Sequence, residues 1–434
     1  MKIKSILRGA IALLLLLSLL LCSTACLVSP YSEYTKEELV SFMNGSTREY
    51  DRVADYLNEW RFPRFDYRKL YLLESVFHLY YYEELPSAHK LAHSVAELYL
   101  EHFFDEIDRT DKTLNTDAYL ACFAHATGDK YAVYRTASEY DEFDTDMSGS
   151  FIGIGVSILY DPLTNVATVD EVIPDSPAEE AGIQGGDRIV AVGDLTLDEH
   201  GYDTTVDAIR GEAGTPVSVT VDRDGTPLTF TMLRRALTDN TVRFEHDTEN
   251  NIGYVRITQF KDVTFDQFKV AIDTLEALGV RGYVFDLRAN PGGYLSAVSR
   301  MVAYLSKKGS TIVSFDEDYG PPILDEDDYE LNKPMVVIAN GRTASAGEIF
   351  TAALRDLNGA IVVGETTYGK GVMQSIFSLG DGSTVSLTVS RYNPPSGVNY
   401  DGVGIVPDLT VTEIEDGDAP LAAAKTALLN QIQK

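Results

Sequence analysis

Ser345 follows a short apolar run, Pro334 to Asn340, and opens the segment Thr343-Ala344-Ser345-Ala346-Gly347-Glu348-Ile349-Phe350. A strand that turns through small residues into a helix puts this hydroxyl at or near the helix start. Two roles are open to a serine there. As an N-cap it would accept an amide hydrogen bond, with Glu348 three residues on completing a capping box. As a nucleophile it would present the same hydroxyl, while the N–H groups of the first turn stabilise an oxyanion. Local sequence alone favours the cap.

The search for a base shifts that balance. All seven histidines (His78, His89, His93, His102, His125, His200 and His246) precede position 247, so none accompanies Ser345 in its own segment. A lysine can take the serine proton instead if desolvation lowers it from about 10.4 toward neutrality. Lys370 is the candidate. It lies in Gly364-Glu365-Thr366-Thr367-Tyr368-Gly369-Lys370-Gly371-Val372-Met373-Gln374, just past an apolar run and between glycines that let backbone pack closely.

These two segments resemble those of the carboxyl-terminal processing peptidases, also called tail-specific proteases, of the bacterial envelope and the chloroplast lumen. So do Gly128-Asp129-Lys130-Tyr131, Gly253-Tyr254-Val255-Arg256-Ile257, Asp286-Leu287-Arg288-Ala289-Asn290-Pro291-Gly292-Gly293 and Gly402-Val403-Gly404-Ile405-Val406-Pro407-Asp408, in the family's order. The resemblance runs from about Thr127 to Leu409. It implies Ser345 as nucleophile, Lys370 as general base, Gln374 as the residue orienting the lysine amine, and no metal or cofactor. It also implies an oxyanion hole built from the N–H of Ala346 and that of Gly292 or Gly293, between which the sequence does not choose. Gly347 stands where many relatives carry alanine or serine, and Lys130 replaces a common proline.

Between Ser148 and about Arg235 the texture is of short β-branched runs separated by turn residues: Gly153 to Leu159, Ala167 to Val172, Arg188 to Val192, Val217 to Val221 and Thr229 to Leu233. Ser176 to Gly182 and Tyr202 to Arg210 read as two short helices. Gly153-Ile154-Gly155-Val156, the stretch Ser176 to Ile189, Ile209-Arg210-Gly211 and Gly214-Thr215-Pro216-Val217 resemble a PDZ domain of the bacterial protease-associated type. Such domains bind a peptide's C-terminus as an added strand, and the resemblance gives its carboxylate to the loop Gly153, Ile154, Gly155, Val156. Glycine there lets backbone approach the ligand.

From Asn251 onward, strand-like runs alternate with helical patterns, which argues an α/β layer with crossover connections. A hairpin follows, turning at Leu379-Gly380-Asp381-Gly382. Upstream, Ala88 to Ile107 has the spacing of an amphipathic helix within a helical, tyrosine-rich stretch. His89, His93 and Glu97 share one helix face there, but Lys90 stands where a metalloprotease helix has its glutamate, so a plain helix face is expected. The expected class is α+β multidomain. Residues 37–147 form a helical module, 148–236 a PDZ domain as a partly open β-barrel with two helices, and 237–414 an α/β core, for which the resemblance implies stacked ββα units. Residues 415–434 form an acidic linker and a last helix. Whether the helical module dimerises the protein or caps the core stays open, so a homodimer is among the expected assemblies.

Composition bounds the partners. Of 434 residues, 36 are basic and 66 acidic, a formal charge of −30 that repels nucleic acid and anionic headgroups. Lys2, Lys4 and Arg8 precede the apolar run Ile11 to Leu21, the pattern of an export signal over residues 1–25, with a linker at 26–36. Small residues before Cys26 resemble a lipobox, so lipidation of Cys26 and attachment to the outer face of the bacterial membrane are expected, ahead of plain secretory cleavage or an uncleaved anchor. Cys122, in an apolar stretch, reads as a buried small hydrophobe.

The expected activity is that of an extracytoplasmic serine endopeptidase for proteins whose exposed, mostly apolar C-terminal tails its PDZ domain captures. A catalytically silent binding protein on the same fold is the first alternative, and a PDZ scaffold recruiting another protease the second. Retention of serine, lysine and glutamine at these spacings favours the enzyme.

Overall fold

The computed structural model describes residues 66–103, 111–316, 319–413 and 417–433. The expected signal, Cys26 and the first part of the helical module lie outside these residues.

The described chain begins with helices α1 (Tyr67–Tyr80), α2 (Ala88–His102) and α3 (Lys112–Ala126), then a short strand β1 (Val133–Arg135) and α4 (Ala137–Ser148). The carboxylates of Asp66 and Asp111 cap α1 and α3 by accepting first-turn N–H groups. Next come β2 (Ser150–Gly153), β3 (Val156–Asp161), β4 (Val166–Val172), the turn of helix α5 (Pro177–Ala181), β5 (Arg188–Val192), β6 (Leu195–Thr196), α6 (Leu197–His200), α7 (Tyr202–Asp207), β7 (Pro216–Arg223), β8 (Thr226–Leu233) and β9 (Arg235–Thr238). The remainder is β10 (Val242–Asp247), β11 (Ile252–Ile257), α8 (Thr264–Ala277), β12 (Tyr283–Asp286), α9 (Leu295–Leu305), β13 (Thr311–Phe315), β14 (Ile323–Leu324), β15 (Met335–Ala339), α10 (Ala346–Asn358), β16 (Ile361–Gly364), β17 (Val372–Ser378), β18 (Thr384–Asn393), β19 (Leu409–Thr410) and α11 (Ala419–Ile432). Contacts divide the chain into two compact units. Of the described residues, one unit holds those up to Glu142 with those of Phe315–Gly320 and Val372–Tyr392, the other those of Phe143–Ser314, Pro321–Gly371 and Asn393 onward.

In the first unit, α1 to α3 bury Leu73, Phe77, Val95, Tyr99, Leu120 and Phe123 together with Val385 and Leu387 of the β17–β18 hairpin. Phe77 and Phe123 meet edge to face with ring centroids 5.5 Å apart. Lys69 ties the same parts by polar bonds, its Nζ lying 2.9 Å from Asp117, 2.8 Å from Asp381 in the hairpin turn and 2.7 Å from the Tyr134 hydroxyl. Cys122 is buried among these side chains, and burial pushes its thiol up to about 12, so it packs as an inert hydrophobe.

The second unit contains two sheets that matter for function. One has the order β3-β4-β5-β7-β8, with β6 beside β5, over a core of Ile154, Ala167, Val169, Ile189, Val219 and Val221. Ser176 caps α5, and Gly182, at φ 94°, ends it. The run from Gly153 to Leu159 is not one continuous strand. It breaks at Gly155, so that β2 pairs with β9 and β3 with β4. Gly155 has φ 87°, and a Cβ there would stand 2.3 Å from that of Ser176.

The other sheet has the order β10-β11-β12-β15-β16-β19, parallel throughout except for the antiparallel β10 at its edge. Its central strands β12 and β15 are buried at every position because both faces are covered. On one face Phe285 packs edge to face on Phe350 of α10, at 5.5 Å, and near Phe268 of α8. On the other, Val284, Val336, Ile338 and Val363 pack against Ala424 and Leu428 of α11. Each such side chain contributes about 1.5–3 kcal/mol on burial, which holds the C-terminal ends of β12, β15 and β16 in a fixed row. The loops leaving those three ends carry Gly292, Ser345 and Lys370.

Candidate active site

Ser345 is the N-cap of α10, at φ 53° and ψ −118°. A left-handed conformation is costly for a residue with a Cβ and persists only where neighbours hold it. The neighbours are visible. Thr343 Oγ1 donates to the Leu287 carbonyl at 2.8 Å and accepts from Asn340 N–H at 3.0 Å, while Ala344 N–H donates to the Asn290 carbonyl at 2.9 Å. Glu348 reaches back to accept from Ser345 N–H at 2.9 Å, one half of a capping box. The Glu348 N–H goes to the Ser345 carbonyl at 2.8 Å, and among the described residues the Ser345 hydroxyl makes no cap hydrogen bond. The side chain is half-buried, not sealed in.

Glu348 itself is fully buried and serves both loops. Its Oε2 accepts from Ser345 N–H and, at 2.8 Å, from Lys370 N–H, while Oε1 accepts from Gly369 N–H at 2.7 Å and from the Thr367 hydroxyl at 2.5 Å. Burial pushes this carboxyl up, and the four donors oppose that push. Thr367 Oγ1 also accepts from Ile405 N–H at 2.7 Å, so its single proton is directed at Glu348. The segment after Gly402 closes over the loop from the other side. Gly402 N–H donates to the Gly369 carbonyl at 2.9 Å, and a Cβ on Gly369 would lie 2.8 Å from Gly404 N. Lys370 is thus fixed by main chain on both flanks, and its side chain is half-buried.

The turn after β12 lies directly against Ser345. A Cβ on Gly292, at φ 105°, would be 2.8 Å from Ser345 Cβ and 2.9 Å from Ala346 N. Gly292 N–H donates to Asn290 Oδ1 at 2.8 Å, and Asn290 Nδ2 donates to the Ile257 carbonyl at 2.9 Å. Gly293 is exposed, and its N–H and that of Ala346 have no acceptor among the described residues. Behind the turn, the fully buried Asp286 accepts from Tyr254 Oη at 2.7 Å and from Arg288 Nη2 at 2.6 Å, and Arg288 continues to Asp418, the N-cap of α11, at 2.8 Å.

The structure therefore brings Ser345, Ala346, Gly292 and Gly293 together and ties the Lys370 main chain to the same carboxylate as Ser345. Gln374 falls in the other unit, on β17, with its Nε2 at 3.2 Å from Thr388 Oγ1 and 3.4 Å from the Val372 carbonyl. Gly153 and Ile154 are buried and Val156 half-buried at the start of the PDZ-like sheet. Sequence reading took Glu348 only as a cap partner and missed its hold on Thr367, Gly369 and Lys370. Its spacing from Ser345 is a local signal, but nothing local marks partners that lie about twenty residues on. His93 pairs with Glu97 at 3.2 Å on an exposed face, and no group of three metal-ligating side chains occurs among the described residues.

A model of peptidase family S41 matches residues 251–411, and a PDZ-domain model matches residues 168–223. The chain is 33% identical over 301 residues to a carboxy-terminal-processing protease of Bartonella bacilliformis, an alignment covering 66% of this chain and 67% of that one. It is 32% identical over 307 residues to the carboxy-terminal processing protease CtpA of Bacillus subtilis, covering 70% and 66%. The chain thus spans about two thirds of the length of these relatives. A Bacteroides fragilis structure of the S41 protease type superposes with a TM-score of 0.53 over 83% of this chain and 95% of that one; at 19% identity this speaks to fold alone.

Proposed function

The chain belongs to peptidase family S41, the carboxy-terminal-processing proteases, and is a serine-type peptidase; from that premise we propose that it is an extracytoplasmic endopeptidase working through Ser345 and Lys370. The observation that carries this reading is the shared acceptor: Glu348 Oε2 binds the main chain of nucleophile and base alike. Ser345 Oγ attacks the scissile carbonyl while the neutral amine of Lys370 takes its proton. The tetrahedral oxyanion is received by the N–H groups of Ala346 and Gly293, since that of Gly292 is engaged by Asn290. Each such donor is worth roughly 3 kcal/mol in comparable enzymes. Lys370 returns the proton to the leaving amine, and water then hydrolyses the acyl-enzyme by the same route in reverse. Gln374 orients the lysine amine.

The PDZ domain captures the substrate's C-terminus. Among the described residues β3 is an edge strand, paired with β4 alone, so its other side can accept an added strand. The carbonyls of Ile154 and Gly155 accept from Ala178 and Ile173 N–H groups, both at 2.9 Å, which holds the loop Gly153 to Val156 in the shape proposed to meet a carboxylate. Val156, Ile158 and Tyr160 line one face of β3 half-buried, and Tyr160 stacks on Tyr202 at 4.1 Å, a surface suited to apolar tails. Membrane attachment through lipidated Cys26 completes the reading. The test is cleavage of an unfolded protein such as casein, followed by gel, for the wild type, Ser345→Ala and Lys370→Ala. Both variants are expected to be inert, and undiminished cleavage by either overturns the assignment.

A further inference from the structure

Lys261 is buried in the second unit, at 5% exposure, and its Nζ donates to Asp146 Oδ1 at 2.8 Å and to Asp239 Oδ2 at 2.6 Å. These two carboxylates stand at the roots of the PDZ domain. Asp146 is in the last turn of α4, where the chain enters that domain, and Asp239 follows β9, where the chain leaves it. The roots lie side by side, since Asp239 N–H donates to the Gly149 carbonyl at 2.8 Å. Main chain adds one further tie, from Asp262 N–H to the Met147 carbonyl at 3.1 Å.

The residue before Lys261 is paired with the turn that lies against Ser345. Phe260 N–H donates to the Gly292 carbonyl at 2.9 Å, and its carbonyl accepts from Tyr294 N–H at 2.7 Å, so that Phe260 and Gly293 form a parallel bridge. The fit leaves no slack: a Cβ on Gly293 would stand 2.1 Å from Phe260 O. Phe260 is itself fully buried, its ring centroid 6.0 Å from that of Phe350 in α10, the helix that Ser345 caps. A buried ammonium paired with carboxylates gains little stability over an apolar side chain of like size, but it fixes where its segment lies. We propose that Lys261 is a positioning residue for the peptidase reaction: by fastening the segment of Phe260 to both roots of the PDZ domain, it holds the Gly293 N–H where the oxyanion forms. This rests on the reading in which Gly293 donates to that oxyanion.

Lys261→Met keeps most of the side chain's length and removes the ammonium. The side chains of Asp146 and Asp239 are 61% and 32% exposed, so water can solvate both once the lysine is gone. Phe260 then loses its fastening, and Gly293 moves with it. The N–H of Gly293 meets charge only in the transition state, so the loss falls on kcat and not on substrate capture.

The experiment uses the whole chain and a quenched peptide with a free C-terminus, with kcat and KM measured separately. Lys261→Met is expected to lower kcat by about 10- to 100-fold, a part of what one oxyanion donor supplies, with KM within about twofold of the wild type. A peptide aldehyde and the matching alcohol serve as inhibitors. The aldehyde adds Ser345 Oγ to form a hemiacetal whose oxygen sits where the oxyanion forms, and the alcohol cannot. Lys261→Met should weaken the aldehyde by the same factor as kcat and leave the alcohol unchanged, a split that a merely structural lysine would not produce. Asp146→Ala and Asp239→Ala should each lose part of that factor, and neither should cost more in the Lys261→Met background. The two aspartate variants remain decisive if Lys261→Met fails to fold. The positioning role is overturned if folded Lys261→Met has the wild-type kcat, if its preference for aldehyde over alcohol is unchanged, or if both aspartate variants match the wild type. A wild type that binds the aldehyde no tighter than the alcohol removes instead the oxyanion reading beneath it, and the role of Lys261 falls with that reading.

Discussion

The main-chain N–H groups of Ser345 and Lys370 donate to one atom, Oε2 of the buried Glu348, at 2.9 and 2.8 Å. A nucleophile and a base on separate loops are useful only if their separation is fixed to a fraction of an ångström. Here a single carboxylate with four donors does that, and its second oxygen adds Gly369 and Thr367.

Glu348→Gln keeps the size of this side chain and replaces one pair of acceptor sites by an NH2 group. Two donors then face a donor in a site without exposure to water. The variant is expected to lose about 2–4 kcal/mol of stability and at least about tenfold in kcat/KM, the first read by urea unfolding and the second by peptide cleavage. Wild-type values in both would mean that the four bonds do not hold the site.

Gly292→Ala should be nearly silent for folding of the distant parts and severe for catalysis. Its new methyl group would stand 2.8 Å from Ser345 Cβ and 2.9 Å from Ala346 N, at a φ of 105° that alanine resists. An expected loss of about 10²–10³-fold in kcat matches removal of one oxyanion donor. A variant within threefold of the wild type would show that this turn is not against the reacting atoms.

Acid should weaken the protein over a defined window. Burial pushes the Asp381 carboxyl up, but Lys69 and Ser383 outweigh it and hold it at about 2, and Lys425 with Asn250 likewise outweighs burial to hold Asp247 at about 2. A lowered carboxyl is ionised more readily in the folded chain than in the unfolded one. Its stabilisation is therefore complete above the ordinary aspartate value of about 3.9 and disappears as pH falls through the folded value. Urea midpoints should fall between those limits, with a shallower slope for Asp381→Asn and Asp247→Asn. Equal slopes in the wild type and the double variant would contradict it.

Much of this arrangement is legible along the chain, and the exceptions have physical causes. Arg188–Val192, Thr311–Phe315 and Met335–Ala339 read as strands because they are apolar, β-branched and bounded by turn residues. β10, with Arg243, Glu245, His246 and Asp247 in six residues, shows no such run, since an edge strand need not be apolar on both faces. α4 has five acidic residues among its twelve and a single buried residue, Met147, so it lacks an apolar stripe. Ser345 and Lys370 could be picked out by residue type and by the placing of the histidines. The work of Glu348 and Asn290 could not, because their partners are brought together only by the sheet.

Capture by the PDZ domain makes a separate demand on the substrate. Of two otherwise identical peptides, the one with a free C-terminus should be cleaved at least about tenfold faster, through KM, than the one ending in an amide, which lacks the negative charge for the loop at Gly153 to Val156. Equal rates would argue against carboxylate recognition.

The central claim is that Ser345 and Lys370 act as one unit, and the most direct test is the cleavage rate of one unfolded protein by Ser345→Ala, Lys370→Ala and the double variant. Residues that act as a unit are strongly non-additive, so all three should fall to the same residual rate. Cleavage retained by either single variant, or a double variant much slower than both singles, would contradict the account.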